Sequence, residues 1–156
     1  MATHILFTAI NKYNREVFGD KIDLKGTVLD IQKAEAFLPQ ESNCRYLLDE
    51  KAKKQNVIDN LKTFALEAQP GDTFIWYHSS HGTYMDAWDG RRTARVVEDD
   101  ILWDWEVAPL LGLFQAGVVV IVVSDCCHAE SNSRSVTVPP SPDARPKAIP
   151  IEFVSA

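Results

Sequence analysis

A histidine and two adjacent cysteines follow strand-like segments of this chain, and together they could carry out nucleophilic chemistry. His81 comes shortly after the aromatic run Phe74–His78, and the pair 126–127 comes shortly after the apolar run Val118–Val123. A thiol paired with an imidazole is the minimum for acyl transfer, because the thiolate attacks a carbonyl and the imidazolium protonates the leaving amine. Gly82 has no side chain, so its N–H could point at a developing oxyanion.

These groups need a sheet to bring them together, and the chain predicts one. Strand-like and helix-like segments alternate up to about residue 128, which predicts an α/β fold of three layers with a mostly parallel central sheet and helices on both faces. Functional groups in such folds gather beyond the carboxyl ends of the strands. The predicted strands cover residues 5–10, 45–48, 73–77 and 118–123 and the helices 27–38, 53–68 and 110–114, the last with an uncertain start after Asp99-Asp100.

Composition excludes several classes of protein. The chain has 156 residues, 46% of them hydrophobic, which suits one globular domain. Its net charge of −6 argues against a nucleic-acid or membrane-surface partner, and no apolar run reaches the roughly 20 residues of a membrane span. We expect no signal peptide. The odd count of three cysteines is poor material for disulfides and favours a reducing, cytoplasmic setting.

The composition changes after residue 130. Five of the eight prolines lie between Pro139 and Pro150. We therefore predict a catalytic domain over residues 1–130 and a proline-rich linker or tail over 131–156, with Ile151–Val154 as a candidate terminal strand.

The motifs resemble those of caspase-like cysteine peptidases, most closely the metacaspase and orthocaspase branch. The typical motifs there are Ser-Gly-His-Gly and Asp-(Cys/Ser)-Cys-His-Ser-Gly; this chain has Ser-Ser-His-Gly at 79–82 and Asp-Cys-Cys-His-Ala at 125–129. The similarity runs from residue 4 to about residue 130. It includes three upstream segments: Ala9–Tyr13, Leu24–Asp30 and Pro70–Thr73.

The resemblance implies a role for each matching residue. His81 would be the catalytic histidine and Cys127 the nucleophile, and the backbone N–H groups of Gly82 and Cys127 would form the oxyanion hole. Two carboxylates in the pocket for the side chain before the scissile bond would favour Arg or Lys there. That pocket would be lined by Asp30, Ser79 and Asp125. The implied activity is a cysteine endopeptidase that cleaves proteins or peptides after Arg or Lys.

Asp30 has a second interpretation. Thr27-x-x-Asp30 resembles a capping box, in which the carboxylate folds back on the start of its own helix. The residues alone leave both interpretations open, and the resemblance favours the pocket.

Calcium is the cofactor that the resemblance raises. Many metacaspases bind it through acidic residues between the two motifs, and Glu98 and Asp99 are the candidates here. The segment is short, and an N-cap for the next helix explains Asp99 or Asp100 equally well. Three arginines interrupt it: Arg91, Arg92 and Arg95. We expect no required cofactor, with calcium as the alternative.

The chain departs from the family after the cysteines. A caspase-like domain usually continues into a small-subunit region, whereas this chain offers the proline-rich stretch. We therefore expect activation by processing or by a partner, such as a small-subunit or activator chain. The rival hypothesis is a non-catalytic caspase-like interaction module, which the short length favours and the retained histidine and cysteine oppose.

Overall fold

A computed structural model of the chain describes residues 1–19, 22–39, 41–126 and 151–155. Within these ranges the chain forms four α-helices: α1 (Arg15–Phe18), α2 (Thr27–Glu35), α3 (Lys54–Glu67) and α4 (Asp104–Leu111). It also forms eight strands: β1 (Thr3–Ala9), β2 (Asn43–Leu48), β3 (Thr73–Ser80), β4 (Gly82–Ala87), β5 (Gly90–Val96), β6 (Ile101–Trp103), β7 (Val119–Cys126) and β8 (Ile151–Ser155).

Five of the strands form a parallel sheet in the order β2-β1-β3-β7-β8. Its strands are apolar on both faces because helices cover both. Ile5 and Phe7 of β1 pack with Ile31 of α2 on one side, and Leu6 packs with Leu61 of α3 on the other. The predicted three-layer α/β arrangement is confirmed.

A second, antiparallel sheet of three strands, β4-β5-β6, was not predicted. The sequence predicted a loop for this segment, because the adjacent Arg91 and Arg92 break the alternation typical of a half-buried strand. Both arginines are exposed in the structure. The β4–β5 hairpin closes at Gly90, whose φ of 131° lies in a region that favours glycine.

The last predicted helix begins after Asp99-Asp100, at Asp104, and ends at Leu111 and not at Phe114. Strand β6 lies between Asp100 and α4, and the side chain of Glu106 accepts the N–H of Trp103 (2.9 Å) at the start of that helix. The predicted domain boundary at residue 130 lies outside the described residues. Of the helices in the described ranges, none has the length and apolarity that a membrane crossing needs.

Candidate active site

The two motifs meet at one edge of the sheet, because β3 and β7 are parallel neighbours. Ser79 lies opposite Asp125 and Ser80 opposite Cys126 at the carboxyl ends of these strands. His81 follows β3 directly. The predicted nucleophile, Cys127, follows β7 in sequence and lies outside the described residues.

His81 is held at its backbone and at its ring. Its N–H donates to the hydroxyl oxygen of Tyr13 (2.9 Å), and its carbonyl oxygen accepts from the N–H of Val96 (2.9 Å). Its ring nitrogen Nε2 lies 2.7 Å from the carbonyl oxygen of Ile22. A carbonyl can only accept, so Nε2 carries the hydrogen and Nδ1 is the basic nitrogen of the neutral ring.

Tyr13 is a neutral support for this histidine. Burial raises the pKa of the phenol to about 12, so it stays protonated at neutral pH. Its ring lies 5.5 Å from the His81 ring, centroid to centroid. The histidine is therefore placed by a packed, uncharged neighbour.

The three residues predicted to line the substrate pocket come together on the α2 side of the sheet edge. Burial raises the pKa of the Asp125 carboxyl, and the negative charge of Asp30 raises it further. Among the described residues, the cation paired with Asp30 is Lys33, at 3.9 Å from nitrogen to oxygen and with a side chain 78% exposed. Because so exposed a lysine compensates little charge, the two carboxylates and the buried Ser79 favour a cation between them.

The capping-box interpretation of Asp30 is wrong. Thr27 is the first residue of α2, not the residue before it, and Gly26 at that position has no side chain to contribute. The side-chain oxygen of Asn11 instead accepts both the N–H (3.1 Å) and the hydroxyl (2.7 Å) of Thr27. The carboxylate of Asp30 is consequently not needed at the helix start.

Gly82, the predicted oxyanion donor, begins the antiparallel sheet. It is the first residue of β4, opposite Arg95 of β5. The bond from Val96 N–H to the His81 carbonyl makes 81–96 the hydrogen-bonded pair, so 82–95 is a pair without ladder bonds. The N–H of Gly82 therefore points to the side of β4 away from β5.

Comparison with known proteins identifies the family. A sequence model of the caspase domain, peptidase C14, matches residues 3–152. The chain belongs to the caspase-domain family. This is a family of cysteine peptidases, and the membership confirms the resemblance seen in the motifs.

A solved structure is similar to this caspase domain over most of its length. The crystal structure of protein GSU0716 from Geobacter sulfurreducens matches it with a TM-score of 0.73 and 28% sequence identity. The match covers 81% of this chain and 51% of that protein, so the chain spans about half of the bacterial protein's length. No curated protein matches significantly.

The two residues predicted as calcium candidates, Glu98 and Asp99, lie in different environments. Asp99 accepts the N–H of Lys54 (2.8 Å) at the start of α3, so it caps that helix and not the next one as expected. Glu98 is 8% exposed, burial raises its pKa, and no residue in the described ranges forms a hydrogen bond with its Oε2. Within the described part of the chain, no three His, Cys, Asp or Glu side chains cluster as metal ligands. The expectation of no required cofactor, with calcium as the alternative, stays a prediction.

Arg95 has a role that the sequence did not indicate. It is 1% exposed, and its guanidinium donates to Ser124 Oγ and to Asp104 Oδ1, both at 2.8 Å. It also lies over the ring of Trp76, 5.0 Å from the centroid. Arg95 thus joins the antiparallel sheet and α4 to β7, one residue before Asp125.

Sequence reasoning also missed the two groups that hold His81. Tyr13 lies in one of the segments that resemble the family, yet nothing in the residue type pointed to the histidine. Ile22 contributes a backbone carbonyl, which has no sequence signature at all. Only the path of the chain brings these groups to His81.

Proposed function

We propose that this caspase domain is a cysteine endopeptidase of metacaspase or orthocaspase type, with His81 and Cys127 as its catalytic pair. The observation that carries the proposal is the hydrogen bond between His81 Nε2 and the Ile22 carbonyl. It leaves Nδ1 as the one basic nitrogen of the neutral ring, at the edge where the cysteine motif begins.

The reaction follows from this tautomer. Nδ1 takes the thiol proton of Cys127, and the thiolate attacks the scissile carbonyl carbon to form a carbon–sulfur bond. The N–H groups of Gly82 and Cys127 stabilise the resulting oxyanion. The imidazolium returns its Nδ1 proton to the leaving amine as the carbon–nitrogen bond breaks, which leaves a thioester. Water, deprotonated by Nδ1, then releases the acid product and the thiol.

The Ile22 carbonyl does more than select a tautomer. The bond also fixes the orientation of the ring while Nδ1 takes up the proton and gives it back.

Cleavage after Arg or Lys is supported by the charges in the pocket. Asp30 and Asp125 repel each other when both are ionised, and that repulsion is relieved when a guanidinium or ammonium binds between them. An acidic or apolar side chain would leave it in place. The proposed substrate is therefore a protein or peptide with Arg or Lys before the scissile bond.

A partner or a processing step is part of the proposal. The chain spans about half the length of the bacterial protein that it resembles. We propose that a small-subunit or activator chain supplies the remainder of the substrate groove. We also propose a cytoplasmic location, which the odd count of three cysteines favours.

Peptide reporters test the activity directly. The full chain, alone and with a longer form of the protein, is incubated with reporters ending in Arg, Lys, Leu or Asp, with and without calcium. Cleavage of the Arg and Lys reporters is expected, Cys127→Ala should abolish it, and Cys126→Ala should not. Reversed behaviour of the two cysteines would refute the assignment of the nucleophile.

The second candidate is a non-catalytic caspase-like interaction module. It predicts a folded protein that cleaves none of the reporters and whose thiols react with iodoacetamide at pH 7 no faster than a model thiol. A fast, Cys127-dependent reaction at pH 7 would exclude it, because only an activated thiolate reacts in that way.

A further inference from the structure

Ser80 stands where the typical family motif has glycine, and its hydroxyl contacts His78, the backbone of His81 and the side chain of Tyr13. Its Oγ donates to the carbonyl oxygen of His81 (2.8 Å) and lies 2.7 Å from Nε2 of His78. Ser80 is 3% exposed and His78 is fully buried. The departure from the motif thus adds a buried polar contact to the backbone of His81.

The bond from Ser80 to the His81 carbonyl is the last in a series of hydrogen bonds in which each group donates to the next. The indole N–H of Trp76 donates to Thr8 Oγ1 (3.0 Å), and that hydroxyl lies 2.5 Å from Nδ1 of His78. A backbone carbonyl can only accept, so the single hydroxyl hydrogen of Ser80 points at the His81 carbonyl, and this bond fixes the protons on the groups before it. The Thr8 hydroxyl has a second acceptor in reach, the carbonyl oxygen of Tyr77, but at 3.4 Å that contact is longer than the 2.5 Å to His78. Thr8 donates to His78 Nδ1, His78 Nε2–H donates to Ser80, and Ser80 donates to His81.

This order requires a neutral His78, and its surroundings keep it so. Burial lowers the pKa of His78 well below its ordinary value, and the positive charge of Arg95 lowers it further. A neutral ring with Nε2–H is the one form that satisfies Thr8 and Ser80 together. The chain of hydrogen bonds is therefore complete at neutral pH.

We infer that Ser80 and His78 are positioning residues for His81. The inference rests on the proposed function for its catalytic consequence, but its structural part stands apart from it. The His81 backbone is held at the N–H by Tyr13 and at the carbonyl by Ser80 and Val96. Losing the Ser80 hydroxyl would leave His78 Nε2–H without its acceptor and loosen the carbonyl, so the ring would keep its bond to the Ile22 carbonyl less well.

Ser80→Ala in the full chain tests this, with Ser80→Thr as the conservative variant. Ser42→Ala is the matched control, because it removes a serine hydroxyl that also donates to a carbonyl, that of Pro39 (2.7 Å), at a surface turn. The first readout is the tautomer of the His81 ring, followed by ¹⁵N-edited NMR of the histidine side chains. The second is kcat and KM on the Arg reporter.

Ser80→Ala is expected to produce a measurable Nδ1–H tautomer of His81 and to lower kcat about tenfold, with KM changed less than about twofold. Ser80→Thr and Ser42→Ala should keep the wild-type tautomer and kcat. An unchanged His81 tautomer in Ser80→Ala, or an equal effect of Ser42→Ala, would overturn the inference. If Ser80→Ala does not fold, Ser80→Gly, the residue of the typical motif, carries the same test.

The two proposals can fail separately. If the wild-type chain cleaves no reporter under any condition, the proposed function fails, and the NMR readout alone decides the role of Ser80. If the wild-type chain is active but Ser80→Ala changes neither the His81 tautomer nor kcat, the positioning role of Ser80 is refuted and the proposed peptidase activity is retained.

Discussion

Asp125→Asn is expected to weaken cleavage after Arg while it raises the stability of the folded protein. The substitution keeps the shape of the side chain and removes one of the two negative charges that would bind Arg or Lys. Asp125 is half-buried beside Ser79, and burial together with the charge of Asp30 raises its pKa. The ionised Asp125 carboxylate therefore destabilises the free protein, and a bound cation would offset this destabilisation.

The size of the effect follows from how exposed each carboxylate is. A hydrogen bond to a charged group in a partly buried site contributes about 1.5–3 kcal/mol, so kcat/KM for the Arg reporter should fall roughly 10- to 150-fold in Asp125→Asn. The side chain of Asp30 is 36% exposed, and solvent screens it. Asp30→Asn should cost only about 0.5–1 kcal/mol, a factor of roughly 2 to 5.

Asp125→Asn should raise the stability of the protein, although it lowers kcat/KM. The folded state holds the Asp125 proton more tightly than the unfolded chain does, so stability from this group is present at low pH and is lost as pH rises through the raised pKa. Asp125→Asn should therefore raise the Tm at pH 7. The gain should vanish below about pH 4, the ordinary range of an aspartate pKa.

The assay is kcat/KM on Arg and Leu reporters together with thermal unfolding at pH 7 and pH 3.5. Asp59→Asn, at an exposed position of α3, is the control and should change neither measurement. An Asp125→Asn protein that cleaves the Arg reporter within twofold of wild type, or that has a lower Tm at pH 7, would refute the reasoning.

Two further predictions concern stability. Arg95→Met should lower the free energy of unfolding, measured in urea, by about 1–3 kcal/mol. The reason is that Ser124 loses its buried partner and Asp104 loses its counter-charge. An unchanged or higher free energy of unfolding would mean that the buried guanidinium is dispensable. Asp72→Asn should destabilise the protein at pH 7, because backbone N–H groups, and then His4, hold the pKa of Asp72 at about 2. That stability is lost as pH falls from about 4 to about 2, so the two proteins should converge there; a gap that persists at low pH would contradict the linkage.

Much of the fold could be predicted because buried parallel strands leave an unmistakable pattern. The run Val118–Val123 has six β-branched residues, and β7 begins within it. Helix α3 also lies close to its predicted range, since Val57, Leu61 and Phe64 repeat at helical spacing. The antiparallel sheet β4-β5-β6 has no such pattern, because β5 has three exposed residues followed by four buried ones and not a regular alternation.

Of the site, the sequence predicted the residue types and the structure supplied their neighbours. The motifs pointed to His81 and to the acidic pair of Asp30 and Asp125, and the register of β3 and β7 brings the pocket residues together. The role of Cys127 stays a prediction, since it lies outside the described residues. The capping-box interpretation of Asp30 was wrong because the acceptor at this helix start is the side-chain oxygen of Asn11, which lies 16 residues before Thr27 in the chain.

Read alone, the sequence determined which chemical groups this protein possesses and the order in which they follow buried strands, because covalent order and hydrophobic periodicity are local properties. The tertiary structure decided how His81 is protonated and held, through a carbonyl of Ile22, a phenol of Tyr13 and the hydroxyl of Ser80. Hydrogen bonds to backbone atoms depend on where the chain passes in space and hardly on residue type, so no motif records them.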